Sequence, residues 1–474
     1  MDAIIDFLNT IFWGYVLIYG LLAVGIFFTV RLGFLQFRHF PEFFRVLRAS
    51  READRSGITP LQALTVSLAS RVGTGNLAGV AVALTLGGPG AIFWMWMVAL
   101  VGMATAYAES TLAQLYKTRN AEGNYRGGPA FYIARGLGLP WLGGVFSVCL
   151  ILSFGLVFNA VQANSIAGAV ETAFGLPTWA CGGLIAVLTA VVIFGGIKQI
   201  ARVAEIVVPF MAIAYLLVAI FVIVVNIAAV PGVFGMIISN AFGLQEAAGG
   251  VTGGLAAAML NGVKRGLFSN EAGMGSAPNI AAVATPDPHH PSSQGLVQGL
   301  GVFIDTLLIC SATAFMILLS GVYTPGMETT GTELTQAALS AHIGGAGIYF
   351  VAIAIFFFAF TSIIGNYSYA ENALTFLGAG TGVPVMIMRI GVLLMVIWGS
   401  VQSVATVFNT ADASMGLMAT INLIAIVALS GTVVKLTKDY FAQRKAGEVP
   451  TFHAADYEEL KGHIDDTIWH RDNA

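Results

Sequence analysis

Long apolar stretches follow one another along the whole chain, and the polar segments between them hold most of its charge. A helix of about 20 apolar residues crosses a bilayer. Stretches of that kind predict eleven spans, at roughly 11–31, 60–85, 90–115, 143–168, 179–196, 203–227, 251–283, 295–320, 347–376, 383–401 and 413–435. The last two are divided by a short polar connection, 402–412, and the second and seventh are interrupted by glycines and polar residues. This pattern makes the fold class all-α integral membrane.

The polar segments also carry orientation, because Lys and Arg gather on the cytoplasmic side of membrane proteins. Arg31, Arg38, Arg45, Arg48, Arg51 and Arg55 lie between the first two spans, and Lys117, Arg119, Arg126 and Arg135 follow the third. Lys198 and Arg202 lie between the fifth and sixth, and Lys435, Lys438, Arg444 and Lys445 follow the last. The alternate connections 86–89, 169–178, 228–250, 321–346 and 402–412 contain no Lys or Arg. The split puts the N-terminus outside and the C-terminus in the cytoplasm. The tail, 436–474, reads as a short helix or a disordered segment.

Composition agrees. The 474 residues are 57% hydrophobic and 10% charged, where a soluble domain carries about 25% charge. A net charge of −3 gives no footing to a nucleic-acid partner. Cys149, Cys181 and Cys310 sit in apolar runs without metal-type spacing and read as core residues. The N-terminus lacks a basic region and cleavage site, so its first apolar run reads as a retained span.

The two interruptions are the chemical feature. Gly73, Gly75 and Asn76 fall in the middle of the second span, and Gly262, Lys264, Arg265, Gly266, Asn270 and Glu271 in the seventh. Glycine costs about 1 kcal/mol relative to Ala inside a helix. A broken helix also frees backbone groups that lipid cannot satisfy, so a break must be buried or line a cavity. Close packing through Gly75-x-x-x-Gly79 is the simpler reading, but it does not account for two polar-flanked breaks about 190 residues apart. Five spans begin with each break, and an odd number makes the halves cross in opposite senses. Matched breaks in inverted halves mark the binding site of secondary transporters. The predicted units are 1–59 (first helix and basic loop), 60–227 and 251–435 (the two repeats), 228–250 (extracellular connection) and 436–474 (tail).

Span 4 places Phe158, Asn159 and Gln162 on one helical face. They either face the bundle interior or make a helix–helix hydrogen bond. Other function classes lack their signatures. No phosphate loop marks a pump, and no His-Glu-x-x-His or Gly-x-Ser-x-Gly marks an intramembrane enzyme. Paired breaks favour alternating access over a channel. A sensor on a transporter scaffold stays open.

The run Gly87–Gly102, with Phe93, Trp94 and Trp96, resembles the signature of the alanine/glycine:cation (sodium:alanine) symporter family. So do Val72–Asn76, Arg265–Ser276 and Phe303–Thr306, and the similarity extends over about 10–440. The resemblance implies sodium- or proton-coupled uptake of small neutral amino acids in a bacterial inner membrane. It also implies a five-plus-five inverted repeat of the leucine-transporter type with one extra N-terminal helix. No cofactor is expected beyond the transported ion, and no obligate protein partner.

For such a zwitterionic substrate, the N–H groups at Gly73, Thr74, Gly75 and Asn76 suit the carboxylate. Carbonyls of the Gly266–Gly273 break suit the ammonium, with Phe268 closing over it. The resemblance puts Gln162 at the substrate. It implies sodium ligands from the carbonyls of Ala69, Val72 and Phe358 and the hydroxyls of Thr361 and Ser362. Alternatively those hydroxyls bond back along their own helix. Asn366 stands where alanine-selective relatives are expected to have Trp, which predicts room for serine or glutamine. Asp305 is either a second cation or proton site or the partner of Lys264 or Arg265. Arg71 is read as a gate with Glu271 or Glu371. Glu109 and Glu205 are read as structural, and His289 and His290 as solvated in the loop 284–294.

Overall fold

The computed structural model describes residues 2–49, 53–243 and 253–470. Arg51, the end of the connection 228–250 and the first two residues of the span 251–283 lie outside the described residues. The helices that frame the site and the membrane bundle include α1 (Ile4–Arg31), α2 (Pro60–Arg71), α3 (Gly75–Gly87), α4 (Gly90–Leu115), α5 (Pro140–Phe174), α6 (Thr178–Ile193), α7 (Gly196–Val225) and α8 (Val230–Ala241). They continue with α9 (Gly253–Asn270), α10 (Pro278–Ala281), α11 (Pro291–Leu319), α12 (Gly331–Ile343), α13 (Ala346–Phe376), α14 (Val383–Ser400), α15 (Val404–Ala428) and α16 (Ser430–Lys445). Eight of them are long and apolar enough to cross a membrane: α1, α4, α5, α7, α11, α13, α14 and α15. One two-stranded ribbon, Thr118–Arg119 with Tyr125–Arg126, is the sheet structure among the described residues. The chain is an all-α integral membrane protein.

Local chemistry sets the ends that matter. Thr59 caps α2 in a capping box with Gln62, and Pro60 occupies the first turn, where its missing N–H costs nothing. Gly175 closes α5 with φ 69°. Within the bundle α4 is mostly buried, with α9 and α11 packed along it, and α5 packs on α13 and α14. Helix α7 lies at the rim and turns Ile206, Phe210, Ile213 and Leu217 outward, as a lipid-facing helix does. Wide π-type turns interrupt α1, α3, α5 and α11, at Phe12–Leu17, Gly75–Gly79, Ile151–Val157 and Phe303–Cys310. Such turns occur often at functional sites.

Three expectations are corrected. The last apolar span is Val404–Ala428 rather than 413–435, and 402–412 is mostly helix, not a polar loop. Ser403, Thr406 and Asn409 stay exposed, but Asp412 turns inward and is fully buried. The tail is ordered beyond its helix: after α16 the chain folds back, and the Trp469 indole, 1% exposed, donates to Leu115 O at 3.1 Å. The histidines are packed beneath that tail instead of solvated. His290 Nδ1 accepts from Ser292 N at 3.0 Å and caps α11, while Nε2 lies 3.2 Å from Asp439. The ring of His289 stands against Trp469.

Candidate functional site

Helix α2 ends at Arg71, and Val72 (φ −77°, ψ 89°) turns the chain out of helical conformation before it resumes in α3. Two of the N–H groups freed there meet side-chain oxygens. Gly73 N donates to Asn76 Oδ1 at 2.9 Å, and Thr74 N donates to Gln162 Oε1 at 3.0 Å. The hydroxyl of Thr74 is buried with no hydrogen-bond partner among the described residues. A methyl on Gly73 would stand 2.3 Å from Ser362 Oγ, and one on Gly75 would stand 2.9 Å from Ser269 Cα. Both glycines thus let neighbouring helices close on the break. Gly79 has no such neighbour, its nearest atom being Thr74 O at 3.6 Å.

The second break lies further on than expected. Helix α9 runs through Gly262 and Gly266 to Asn270. Those two glycines admit α4, with added Cβ atoms falling 2.4 Å from Ala91 O and 2.5 Å from Val98 Cγ1. The helix stops at Glu271, which is left-handed at φ 58°, followed by Gly273 at φ 85° and Gly275 at φ 82°. The carbonyls left free by helix geometry are therefore those of the last turn of α9, not the whole stretch 266–273. Gly273 O is taken by Asn422 Nδ2 at 2.9 Å. Glu109 braces this loop by accepting from Gly273 N at 3.0 Å and Asn422 Nδ2 at 2.8 Å.

The two breaks meet. Ser70 Oγ, on α2, lies 2.7 Å from Glu271 Oε1 and 2.6 Å from Asn366 Oδ1. Asn366 Nδ2 donates to Asn159 Oδ1 at 3.1 Å, so α5, α13 and both breaks share one polar chain. Beside it runs an aromatic stack. The ring of Phe158 lies 4.3 Å from that of Phe154 and 4.7 Å from that of Phe268, and Phe268 is 5.3 Å from Phe408. Asn76, Phe158, Gln162, Phe268 and Asn366 are all 4% exposed or less, so the region where the breaks meet is buried.

One turn from Asn366 along α13, Ser362 Oγ lies 2.8 Å from Ala69 O and 3.0 Å from Phe358 O, and Thr361 Oγ1 lies 2.9 Å from Phe358 O. Both hydroxyls bond back along their helix, and that of Ser362 also reaches α2. Val72 N is bonded to Leu68 O, and its own carbonyl leaves the helix end. The set is all oxygen, the chemistry of a hard cation. Among the described residues no cluster of three His, Cys, Asp or Glu offers a transition-metal site.

The charges are arranged differently from the sequence reading. Lys264 Nζ and Arg265 Nη2 both pair with Asp412 Oδ2, the lysine at 2.7 Å, so neither is the partner of Asp305. The guanidinium of Arg265 also lies over Phe268 and Phe408. Asp412 was missed because it appeared to sit in a connection. The signal was present, since two cations inside a span require a buried acid. Asp305 instead accepts from Asn76 Nδ2 at 2.7 Å, Ser269 Oγ at 2.8 Å and Thr306 Oγ1 at 2.7 Å. Arg71 makes no ion pair with Glu271 or Glu371. It donates to Gln298 O at 3.2 Å, in space left by Gly301, while Glu371 pairs with Arg126 at 3.5 Å. Glu205 accepts from Gln62 Nε2 at 3.0 Å.

Comparison with known proteins gives consistent matches. The description "Sodium:alanine symporter family" fits residues 1–454. The amino-acid carrier protein AlsT of Bacillus subtilis is 50% identical, covering 97% of this chain and 96% of that one. The probable sodium/glutamine symporter GlnT of the same organism is 48% identical, covering 99% and 96%. The sodium/alanine symporter AgcS of Methanococcus maripaludis is 40% identical, covering 94% and 98%. Among solved structures, a mutant manganese transporter of Eremococcus coleocola aligns with a TM-score of 0.51 at 15% identity, over 81% of this chain and 77% of that one. That likeness concerns the fold alone.

Proposed function

Because the chain belongs to the sodium:alanine symporter family, whose members are symporters and not enzymes, we propose that it imports small neutral amino acids together with sodium by alternating access. Alanine and glycine are the primary substrates in this reading, and serine and glutamine are admitted beside Asn366. The N-terminus lies outside and the tail in the cytoplasm of a bacterial inner membrane. Helices α2 and α3 open one inverted repeat and α9 and α10 the other, over 60–227 and 251–435, with α1 as the extra helix.

One observation carries this reading: the two helix interruptions meet in one buried polar cluster that holds both kinds of group a zwitterion needs. At the first break the N–H groups of Gly73 and Thr74 are held by the exchangeable amides of Asn76 and Gln162, and a substrate carboxylate takes over those donors. The unpartnered Thr74 hydroxyl adds a third. The last-turn carbonyls of α9 receive the ammonium. Phe158 and Phe268 cover the side chain, and Arg265 with Asp412 closes the outer side above them. Sodium sits between α2 and α13, on the carbonyls of Ala69, Val72 and Phe358 and the hydroxyls of Thr361 and Ser362. It draws α2 towards α13 and stiffens the carboxylate cradle immediately above.

The test is uptake of a panel of labelled neutral amino acids into proteoliposomes, under an imposed inward sodium gradient and then a proton gradient. Concentrative alanine uptake that needs sodium supports the reading. Uptake that only equilibrates, or that ignores sodium, sinks it. The relative named as a sodium/glutamine symporter and the polar Asn366 both favour a second substrate. Excess unlabelled glutamine should lower alanine uptake at least several-fold, and no competition would remove glutamine from the list.

A further inference from the structure

Asp305 is fully buried in the π-type turn of α11, and its carboxylate pairs with no cation among the described residues. A buried charge without a partner costs several kcal/mol, and the same bundle shows the usual remedy at Asp412, which holds two cations. Three neutral donors surround Asp305 instead, and their positions are informative. Asn76 belongs to α3, the outer half of the first broken helix, and Ser269 to α9, the outer half of the second. Thr306 is its own neighbour in the chain. Asp305 therefore clasps the two outer half-helices to each other across α11. Glu271 does the equivalent on the inner side, reaching Ser70 at 2.7 Å and Ser276 at 2.5 Å.

We propose that Asp305 is a proton site of the transport cycle, and that taking up a proton opens the outer clasp. The inference rests on the symporter reading above. The set of partners selects the proton over sodium. Asp305 Oδ1 meets the amide nitrogen of Asn76 at 2.7 Å, and Oδ2 meets the hydroxyls of Ser269 and Thr306 at 2.8 and 2.7 Å. A hard cation takes oxygen ligands, and an amide N–H aimed at the same carboxylate repels it, whereas a proton needs one carboxylate oxygen alone. The protonation step is specific to one oxygen. Ionised, Oδ2 accepts both hydroxyls. With a proton on Oδ2, that oxygen becomes a donor and cannot accept both. Thr306 travels with Asp305, so Ser269 is the bond that gives way. Its hydroxyl has a second partner ready in Cys310 Sγ, 3.1 Å away. The bound proton enters with the substrate and leaves when the inner side opens.

The charged and titratable neighbours leave Asp305 free to act in this way. Arg71 and Glu271 are near enough to act on it through space, as is Cys310 on its own helix. On the other helices packed against its turn, Glu109 is engaged with Gly273 and Asn422, Glu205 with Gln62, and Lys264 and Arg265 with Asp412.

Proteoliposomes carrying a trapped pH dye, with the membrane potential clamped and an inward sodium gradient, test the proposal with labelled alanine. The wild type should acidify the lumen in step with alanine entry. In Asp305→Asn the acidification per alanine moved should fall at least five-fold. Ser269→Ala removes a donor that favours the ionised form, so half-maximal uptake should move up by at least half a pH unit. Alanine entry without acidification in the wild type overturns the proton site and leaves the symporter reading standing. So does wild-type acidification in Asp305→Asn, or a change in its sodium-to-alanine ratio with acidification intact. If Asp305→Asn moves no alanine, Ser269→Ala decides, and an unshifted midpoint overturns the proposal. Absence of any sodium-driven uptake by the wild type overturns the symporter reading itself, and this inference with it.

Discussion

At the scale of the residue, the adjacent hydroxyls of α13 are the sharpest case. Thr361 and Ser362 were legible in the sequence because paired hydroxyls in an aromatic helix need an explanation. That Ser362 faces Ala69 O was not legible, since α2 and α13 are nearly 300 residues apart. Replacing both by Ala removes two oxygen ligands and leaves the carbonyls. Sodium-dependent alanine uptake in Thr361→Ala/Ser362→Ala should fall at least ten-fold while the solubilised protein still elutes as a monodisperse peak. Unchanged sodium dependence would remove this site. Asp412 is the opposite case. Its acidity was plain, but its burial became visible only when α15 was seen to begin at Val404. Asp305 lies between: its position in a span was evident, and its partners were not, because they come from α3 and α9.

At the scale of the element, glycines that look alike in sequence divide by what stands opposite them. Gly73 sits outside helical structure, and its missing side chain leaves room for Ser362 and Gln162. Gly262 sits inside α9 and leaves room for the backbone of Ala91. Gly73→Ala should therefore damage transport first, lowering uptake more than ten-fold with a small change in melting temperature. Gly262→Ala forces a Cβ against backbone and should cost about 1–3 kcal/mol of stability, the usual range for overpacking. Melting curves and initial uptake rates measured on the same two preparations check the contrast. Equal effects on both readouts in both variants would refute it. The breaks were detectable because glycine and polar residues violate helix and membrane preferences together. The second was placed too early because Gly262 and Gly266 carry the same letter as glycines that end helices.

At the scale of the whole molecule, the tail and the loop before α11 form a cap over the basic face. Phe452 N donates to His289 O at 2.9 Å, and Lys117, fully buried, donates to Ala284 O at 2.9 Å with Tyr125 and Trp469 against it. Burial first, and then the nearby Lys117, pushes the imidazole of His289 down to about 4, and burial also holds His290 below the ordinary histidine value. His290 Nδ1 must stay unprotonated to accept from Ser292 N. Both histidines are thus neutral when folded and protonate more readily when unfolded. The contribution of His289 is complete above about pH 6.5 and is lost as the pH falls towards 4, by an upper limit of about 3 kcal/mol, and that of His290 is lost in the same direction. The melting temperature of the solubilised protein should fall through that window, and His289→Gln should flatten the slope. A melting temperature independent of pH from 7 to 4.5 would contradict this account of the cap.

The sequence by itself determined the class of the molecule. Apolar runs of membrane length, too little charge for a soluble surface and two breaks that lipid forbids are local properties, fixed by backbone hydrogen bonding and bilayer thickness. Family motifs narrowed the class to symport. Only the tertiary structure decided the pairings: Asp412 with Lys264 and Arg265, Glu371 with Arg126, Asp305 with Asn76 and Ser269, and the tail with the loop at His289. Each joins residues from separate segments of the chain. The periodicity of a helix states which face is polar, but which neighbour meets that face depends on how the helices pack against one another.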